Sequence, residues 1–122
     1  MYDMEPMAIK YVGTRTKEGC EVVKEVDGQS AGRLDPRIDL WNHSPTGFEW
    51  GYGGSGPAQL ALALLADATG KDRLAVALHQ DFKFKLVGRL SREGFELTAR
   101  EIEQWAEEAA KRLDLSDWEE EG

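Results

Sequence analysis

The sequence has too few cysteine and histidine residues for the commonest disulfide and metal scaffolds. It contains one cysteine, Cys20, so no disulfide can form within the chain, and this is typical of a reducing compartment. It contains two histidines, His43 and His79, and with Cys20 they form no spaced metal motif. We therefore expect no metal and no cofactor.

Long hydrophobic runs are also missing. The longest apolar run covers residues 60–66, far fewer than the roughly 20 residues that a membrane-spanning helix needs. The first residues, Met-Tyr-Asp-Met-Glu-Pro, contain neither the basic nor the apolar stretch of a signal peptide. From these two absences we expect a cytoplasmic protein that does not enter a membrane.

Positive charge is scarce relative to negative charge. The 122 residues carry 23 acidic and 15 basic side chains, a formal net charge of −8. Much of the excess lies in residues 99–122, where acidic side chains outnumber Arg100, Lys111 and Arg112. Such a surface repels phosphate groups, so direct binding of nucleic acid is not expected. It suits contact with a protein that has a basic surface.

Alternating residues and turn signals predict an antiparallel meander in the first third of the chain. A strand opening at Ile9 is followed by a turn at 16–19 and a second strand over 20–26. The pair Asp27-Gly28 predicts the next turn, before a short third strand over 29–34. A brief aromatic segment, 48–52, is predicted to be extended and to form a short fourth segment beside the three strands.

The first helix is predicted over 57–69 and is apolar on nearly all sides, as expected of a central buried helix. Pro57 suits its first turn, with Ser55 or Gly56 as the N-cap. Gly70 follows its last turn, which is the usual position of a terminating glycine.

Two more helices follow. The second begins near 71–72 and repeats large apolar residues every four positions, although alternation over 82–86 leaves a strand as the alternative. The third covers 99–113 and follows a capping box of Thr98 and Glu101.

These elements predict a single α+β domain over residues 1–122, with a small antiparallel meander of three to four strands packed against three helices. Residues 1–7 are expected to be a loose start and residues 114–122 an acidic tail. The predicted core consists of Leu60, Leu64, Leu78, Phe82, Ile102 and Trp105.

Three blocks resemble the signature of a known family: LDPR at 34–37, NHSPTGFEWGYGGSGPAQLA at 42–61 and LHQDFK at 78–83. It is an uncharacterised domain-of-unknown-function family of bacteria, phages and plasmids, and the similarity covers roughly residues 9–105. The family has no established activity, so no catalytic residue is transferred. The resemblance implies an association with mobile elements and a single compact fold.

One hypothesis places a small-ligand site where the glycine-rich bend meets the first helix, because N–H groups at a helix start bind phosphate. A hydrolytic version uses His43 as a base that Glu49 orients. The candidate residues are His43, Ser44, Glu49, Gly53, Gly54, Ser55 and Gly56. The bend lacks P-loop and nucleophile-elbow spacing, so the alternative is that the glycines only allow close packing.

The hypothesis that we favour is a non-enzymatic binding protein of a mobile element. It would inhibit or modulate a host protein that handles nucleic acid, and blocking a CRISPR complex is one version. Carboxylates from residues 101–121 would occupy a basic groove of the partner, and an exposed tryptophan would anchor the contact. The candidate contacts are Trp41, Glu103, Glu107, Asp117, Trp118, Glu119 and Glu120.

Deletion of residues 114–122 tests the role of the tail. Because Asp117 and the glutamate run hold Trp118 close to water, we expect the thermal midpoint to change little while affinity for the partner falls several-fold. Thermal denaturation and a binding titration of the truncated chain measure both. If Trp118 covers the core instead, the deletion lowers the free energy of unfolding by about 1–3 kcal/mol and leaves affinity unchanged.

Overall fold

The computed structural model describes residues 8–45 and 47–113. These residues form a four-stranded antiparallel sheet and three helices, which confirms the predicted α+β class. A short 3₁₀ helix, Val87–Arg89, joins the second helix to the last strand. In chain order the other elements are β1 (Ile9–Thr16), β2 (Gly19–Val26), β3 (Gln29–Arg33), α1 (Ser55–Thr69), α2 (Asp72–Lys85), β4 (Gly94–Thr98) and α3 (Ala99–Arg112).

The predicted meander is confirmed, and the sheet order is β3-β2-β1-β4. Tyr11 of β1 lies opposite Lys24 of β2 and Leu97 of β4, so these three side chains point to one face of the sheet. The turn between β2 and β3 places Asp27 at a φ of 53°, a left-handed conformation that aspartate tolerates better than most residues. Asp27 N–H also donates to the carbonyl of Ala8 at 2.7 Å.

The fourth strand is not the one that the sequence predicted. Residues 48–52 form no strand, because Gly47 before the segment and Gly51 within it have φ values of 135° and 86° that interrupt extended pairing. The strand is β4, in which Phe95 and Leu97 alternate with more exposed residues and point to the core. Residues 114–122 and 1–7, predicted as tail and loose start, lie outside the described residues.

Helix α1 is the most buried element, as predicted. Every residue from Gly56 to Ala66 is buried, and Gly70 ends the helix in a left-handed conformation at φ 69°. The helix begins two residues earlier than predicted, at Ser55, with Gly54 in the N-cap position.

A polar contact fastens the far end of α1 to the sheet. The buried hydroxyl of Tyr11 donates to Asp67 Oδ2 at 2.6 Å, and Lys24 Nζ lies 2.9 Å from the same oxygen. Burial, reinforced by the hydrogen bond to Asp67, raises the pKa of Tyr11 well above its ordinary value. The hydroxyl therefore stays protonated and remains a donor.

Helices α2 and α3 complete the core. The segment 82–86, for which a strand was the alternative, is helical through Lys85. At the start of α3 both hydrogen bonds of the predicted capping box are present, between Thr98 and Glu101. Five of the six predicted core residues are buried, whereas Trp105 is half-buried with its ring 4.7 Å from that of Phe82. Within residues 8–45 and 47–113, no helix is long and apolar enough to cross a membrane.

Replacement of Leu64 by alanine tests the central position of α1. Because this side chain is fully buried, we expect the free energy of unfolding to fall by about 2–5 kcal/mol. Urea denaturation measures the loss, with Leu113→Ala as the control, since Leu113 is 53% exposed. Equal losses in the two variants would contradict a core centred on α1.

Candidate functional site

A single buried glutamine, Gln59, organises the loop that precedes α1. Its Oε1 accepts hydrogen bonds from the backbone N–H groups of His43 at 2.7 Å and Ser44 at 3.0 Å. Its Nε2 donates to the carbonyls of Pro36 at 2.6 Å and Trp41 at 3.0 Å. The amide thus uses both donor hydrogens and both acceptor sites.

Because every hydrogen-bonding position of the amide is used, helix α1 can hold a glutamine among its apolar side chains. Burying an unpaired amide is costly, whereas a fully paired amide fixes the groups around it. Gln59 is completely buried, and its four partners belong to residues 36–44. The loop is therefore held to the start of α1 by its backbone rather than by its side chains.

The two histidines meet although they lie far apart in the sequence. Their Nε2 atoms are 2.9 Å apart, and His79 Nδ1 lies 2.7 Å from the carbonyl oxygen of Val76. Because a carbonyl only accepts, His79 carries its proton on Nδ1 and its Nε2 is an acceptor. His43 consequently donates from Nε2, and the His79 ring is neutral in this arrangement.

The surroundings of the pair keep both rings neutral. Burial is the largest cause that lowers the pKa of His43, followed by repulsion from the positive charge that a protonated His79 would carry and by the charge of Lys83. Burial also lowers the pKa of His79, against the opposing effect of hydrogen bonds to the carbonyls of Val76 and Ala75.

The distance between the two Nε2 atoms is that of a hydrogen bond. It is shorter than the distance between two nitrogens that bind the same zinc ion. Two imidazole nitrogens bound to a tetrahedral zinc ion at 2.0–2.1 Å would lie about 3.3 Å apart, compared with 2.9 Å between His43 and His79. In the part of the chain that the structure describes, no three histidine, cysteine or carboxylate side chains cluster to hold a metal.

The indole of Trp41 rests on this pair. Its ring stacks on His43 with centroids 5.0 Å apart and planes at 10°, and its centroid is 5.5 Å from that of His79. Trp41 is nevertheless 49% exposed. The result is an aromatic side chain that is fixed in position and open to solvent.

A turn stabilised by Arg37 precedes Trp41. Arg37 has a φ of 55°, and its N–H donates to Asp35 Oδ1 at 2.9 Å. Its guanidinium donates to both oxygens of Asp39 and both oxygens of Asp72, at 2.9–3.1 Å. These two carboxylates raise the pKa of Arg37, so its charge persists.

Glu49 belongs to a second cluster, away from the histidines. Both its oxygens accept hydrogen bonds from the guanidinium of Arg15, at 2.8 and 3.1 Å, and this contact lowers the pKa of Glu49. Arg15 also covers the ring of Trp50, which meets Phe95 edge-on. The buried Nε1 of Trp50 has no hydrogen-bond partner within residues 8–45 and 47–113, so the ring is held by these contacts.

The hypothesis that Glu49 orients His43 is therefore wrong. His79 holds the His43 ring, and Glu49 is occupied by Arg15. Ser44 donates its hydroxyl to the carbonyl of Gly47 at 2.8 Å, which closes the loop. The structure brings His43 and Ser44 together beside Gln59 but not with Glu49.

Close packing accounts for at least one glycine of the glycine-rich bend, Gly56. A Cβ added to Gly56 would lie 2.7 Å from Glu49 Cβ, and one added to Gly54 would lie 3.0 Å from the ring of Tyr52. Gly53 is exposed with no such neighbour, and Ser55 is exposed at the start of α1. Of the aromatic segment, Trp50 is buried, while Tyr52 is 42% exposed.

The three predicted partner-binding residues that the structure describes, Trp41, Glu103 and Glu107, lie in two separate places. Glu103 and Glu107 are exposed on α3, and Glu103 borders an open groove of about 970 Å³ that Ala68 also lines. The carbonyl of Trp41 contacts Gln59, which lies nine residues and about 13 Å from Ala68 along the axis of α1. Asp117, Trp118, Glu119 and Glu120 lie outside the described residues.

Three residues that the sequence analysis left unassigned prove central to these clusters. Gln59 and His79 both lie inside the blocks that carry the family resemblance, and their place in those blocks could have marked them as candidates. Arg15 lies outside those blocks and gave no signal, since its partner Glu49 is distant in sequence.

Replacement of Gln59 by leucine tests whether its amide clamps the loop of residues 36–44 to α1. The change removes four hydrogen bonds to the backbone, and we expect the free energy of unfolding to fall by about 2–4 kcal/mol. Gln104→Leu is the matched control, since Gln104 is exposed on α3. Urea denaturation measures the free energy of unfolding of both variants. Equal values for Gln59→Leu and Gln104→Leu would contradict this role of the amide.

The histidine pair predicts a specific dependence of stability on pH. Both pKa values are lowered from 6.5, so as the pH falls below 6.5 the unfolded chain takes up protons before the folded chain does. The free energy of unfolding should therefore be greatest above pH 6.5 and decline between pH 6.5 and 5, above the range in which carboxylates titrate. Urea denaturation of the wild type and of His43→Asn measures the slope, and an unchanged slope in the variant would refute this account.

Comparison with known proteins gives a family but no activity. A family model described as a family of unknown function, DUF6166, matches residues 11–108. Comparison with curated proteins and with solved structures found no match. The match spans β1 to α3 and includes both clusters described above. The chain is a member of the DUF6166 family.

Proposed function

We propose that this protein is a non-enzymatic binding protein that docks on a protein with a basic surface. The observation that carries the proposal is the placement of its negative charge. Within residues 8–45 and 47–113, the buried polar or charged side chains are Gln59 and His79, so every carboxylate there is at least partly exposed. These 16 carboxylates are thus open to a partner, with 15 basic side chains in the same residues, and the rest of the excess negative charge belongs to residues 1–7 and 114–122.

The state of the reactive groups supports binding rather than catalysis. His43 and His79 are engaged with each other, and Glu49 is engaged with Arg15. Burial raises the pKa of the Cys20 thiol, which disfavours the reactive thiolate. The two histidines and Glu49 are thereby used to hold the fold together.

The partner that we favour is a host protein that handles nucleic acid, acting in the cytoplasm. Such proteins present basic grooves, and the mobile-element association implied by the family resemblance gives a reason to block one. Glu103 and Glu107, exposed on α3, would enter the groove in place of phosphate groups. Interference with a nucleic-acid-guided defence complex is one version of this function.

A pair of charge variants tests the proposal. The protein is immobilised, a partner is captured from a lysate of the host bacterium and identified, and the purified pair is titrated at rising salt concentration. We expect affinity to fall with salt, and the double variant Glu103→Gln, Glu107→Gln to bind about two- to tenfold more weakly because two carboxylates are lost.

The matched control removes two charges elsewhere. Glu18 and Glu93 are exposed at the end of the sheet where β1 turns into β2 and where β4 begins. The variant Glu18→Gln, Glu93→Gln should bind like the wild type. Affinity that is indifferent to salt, or equal losses in the two double variants, would overturn the proposal.

A further inference from the structure

We infer that the pair of His43 and His79 is an acid-sensitive latch that holds the indole of Trp41 in place. The two rings keep their contact when the pair binds one proton and lose it when the pair binds a second. The ring of His43 then swings towards solvent, and Trp41 loses the ring on which it stacks. The backbone of the loop stays where Gln59 holds it.

The contact between the two rings has room for a single hydrogen atom. His79 Nδ1 lies 2.7 Å from the carbonyl oxygen of Val76, so this nitrogen carries a hydrogen that it donates to the carbonyl. The Nε2 atoms of His43 and His79 are 2.9 Å apart, a distance at which one nitrogen donates and the other accepts. Two N–H groups that point at each other cannot form this contact.

The first proton added to the neutral pair leaves the contact in place. In the neutral pair His43 Nδ1 carries no hydrogen, and a proton bound there makes the ring positively charged while its Nε2 still donates to His79. A charged donor strengthens a hydrogen bond. The indole of Trp41, stacked with its centroid 5.0 Å from that of His43, attracts cations on its face.

The second proton breaks the contact. The remaining site is His79 Nε2, which accepts the hydrogen bond, and a hydrogen on this atom would face the hydrogen on His43 Nε2. Two positively charged rings would then lie with their centroids 5.0 Å apart. Like charges this close repel strongly where burial excludes water.

The groups around the pair do not compensate a second positive charge. Burial lowers the pKa of both histidines, and the charge of Lys83 on α2 lowers both further. On α1 the group that contacts His43 is the uncharged amide of Gln59, and on the loop it is the uncharged indole of Trp41. In the part of the chain that the structure describes, no carboxylate contributes to the pKa of either histidine.

His43 is the ring that moves. His79 is buried and its Nδ1 is bound to the carbonyl of Val76, whereas His43 is only half-buried. The backbone of His43 cannot follow its ring, because its N–H donates to Gln59 Oε1 at 2.7 Å. Rotation about the side-chain bonds of His43 therefore separates the rings and removes the stacking partner of Trp41.

The latch is distinct from the dependence of global stability on pH. The free energy of unfolding declines as soon as the histidines of the unfolded chain bind protons that the folded chain does not. The indole of Trp41 responds only to the second proton bound by the folded chain. Its release is therefore a local event within a folded molecule.

An NMR titration of the intact protein with acid tests the inference. The ring nitrogen signals of His43 and His79 report each proton, the indole N–H of Trp41 reports stacking, and the amide of Ser44 reports the backbone contact with Gln59. We expect two steps of proton uptake at proton concentrations at least about tenfold apart. The indole signal should move only in the second step, while the Ser44 amide keeps its position through both.

Three results of this titration would each overturn the inference. The first is movement of the Trp41 indole signal in the first step, and the second is uptake of both protons in one step. The third is movement of the indole signal only together with the signals of the whole fold, because release would then be global unfolding.

The variant His43→Ala reproduces the released state without acid. It removes the ring on which Trp41 stacks, so its indole signal at neutral pH should match that of the acid-released wild type. His79 should then bind its proton in a single step that leaves the indole signal unchanged. Asn42→Ala is the matched control, since Asn42 is an exposed neighbour in the same loop, and it should titrate like the wild type. An indole signal in His43→Ala equal to that of the neutral wild type would refute the latch.

Discussion

The buried amide of Gln59 is the interaction on which the arrangement of the site depends. It lies in the most apolar helix of the chain and satisfies four backbone groups of the preceding loop. A loop of this length has many conformations of similar energy, and four hydrogen bonds to one fixed point select among them. The position of each loop side chain follows from that selection.

Two consequences follow along the loop. Because the backbone of His43 is fixed, its ring reaches His79 and forms a neutral hydrogen-bonded pair, on which Trp41 stacks. Three polar residues of the family signature therefore have an architectural role, since Gln59 and His79 both hold His43. What remains available to a partner is the exposed indole and the surface carboxylates, and this division is the basis of the proposed binding function.

Local patterns predicted most of the fold but little of the site. The meander, the C-terminal glycine of α1 and the capping box of α3 depend on neighbouring residues, and all three were predicted correctly. Strand β4 was not predicted because it is only five residues long and pairs with β1, which lies at the other end of the chain. The pairs His43–His79 and Arg15–Glu49 join residues more than thirty positions apart, which periodicity cannot reveal.

Native-state amide hydrogen exchange tests the central claim most directly. If Gln59 clamps the loop, the N–H groups of His43 and Ser44 should exchange as slowly as the N–H groups inside α1, although both residues lie in a loop near the surface. Protection that approaches the free energy of global unfolding is the result that this account predicts. Exchange of both amides at the rate of an unstructured chain would contradict it.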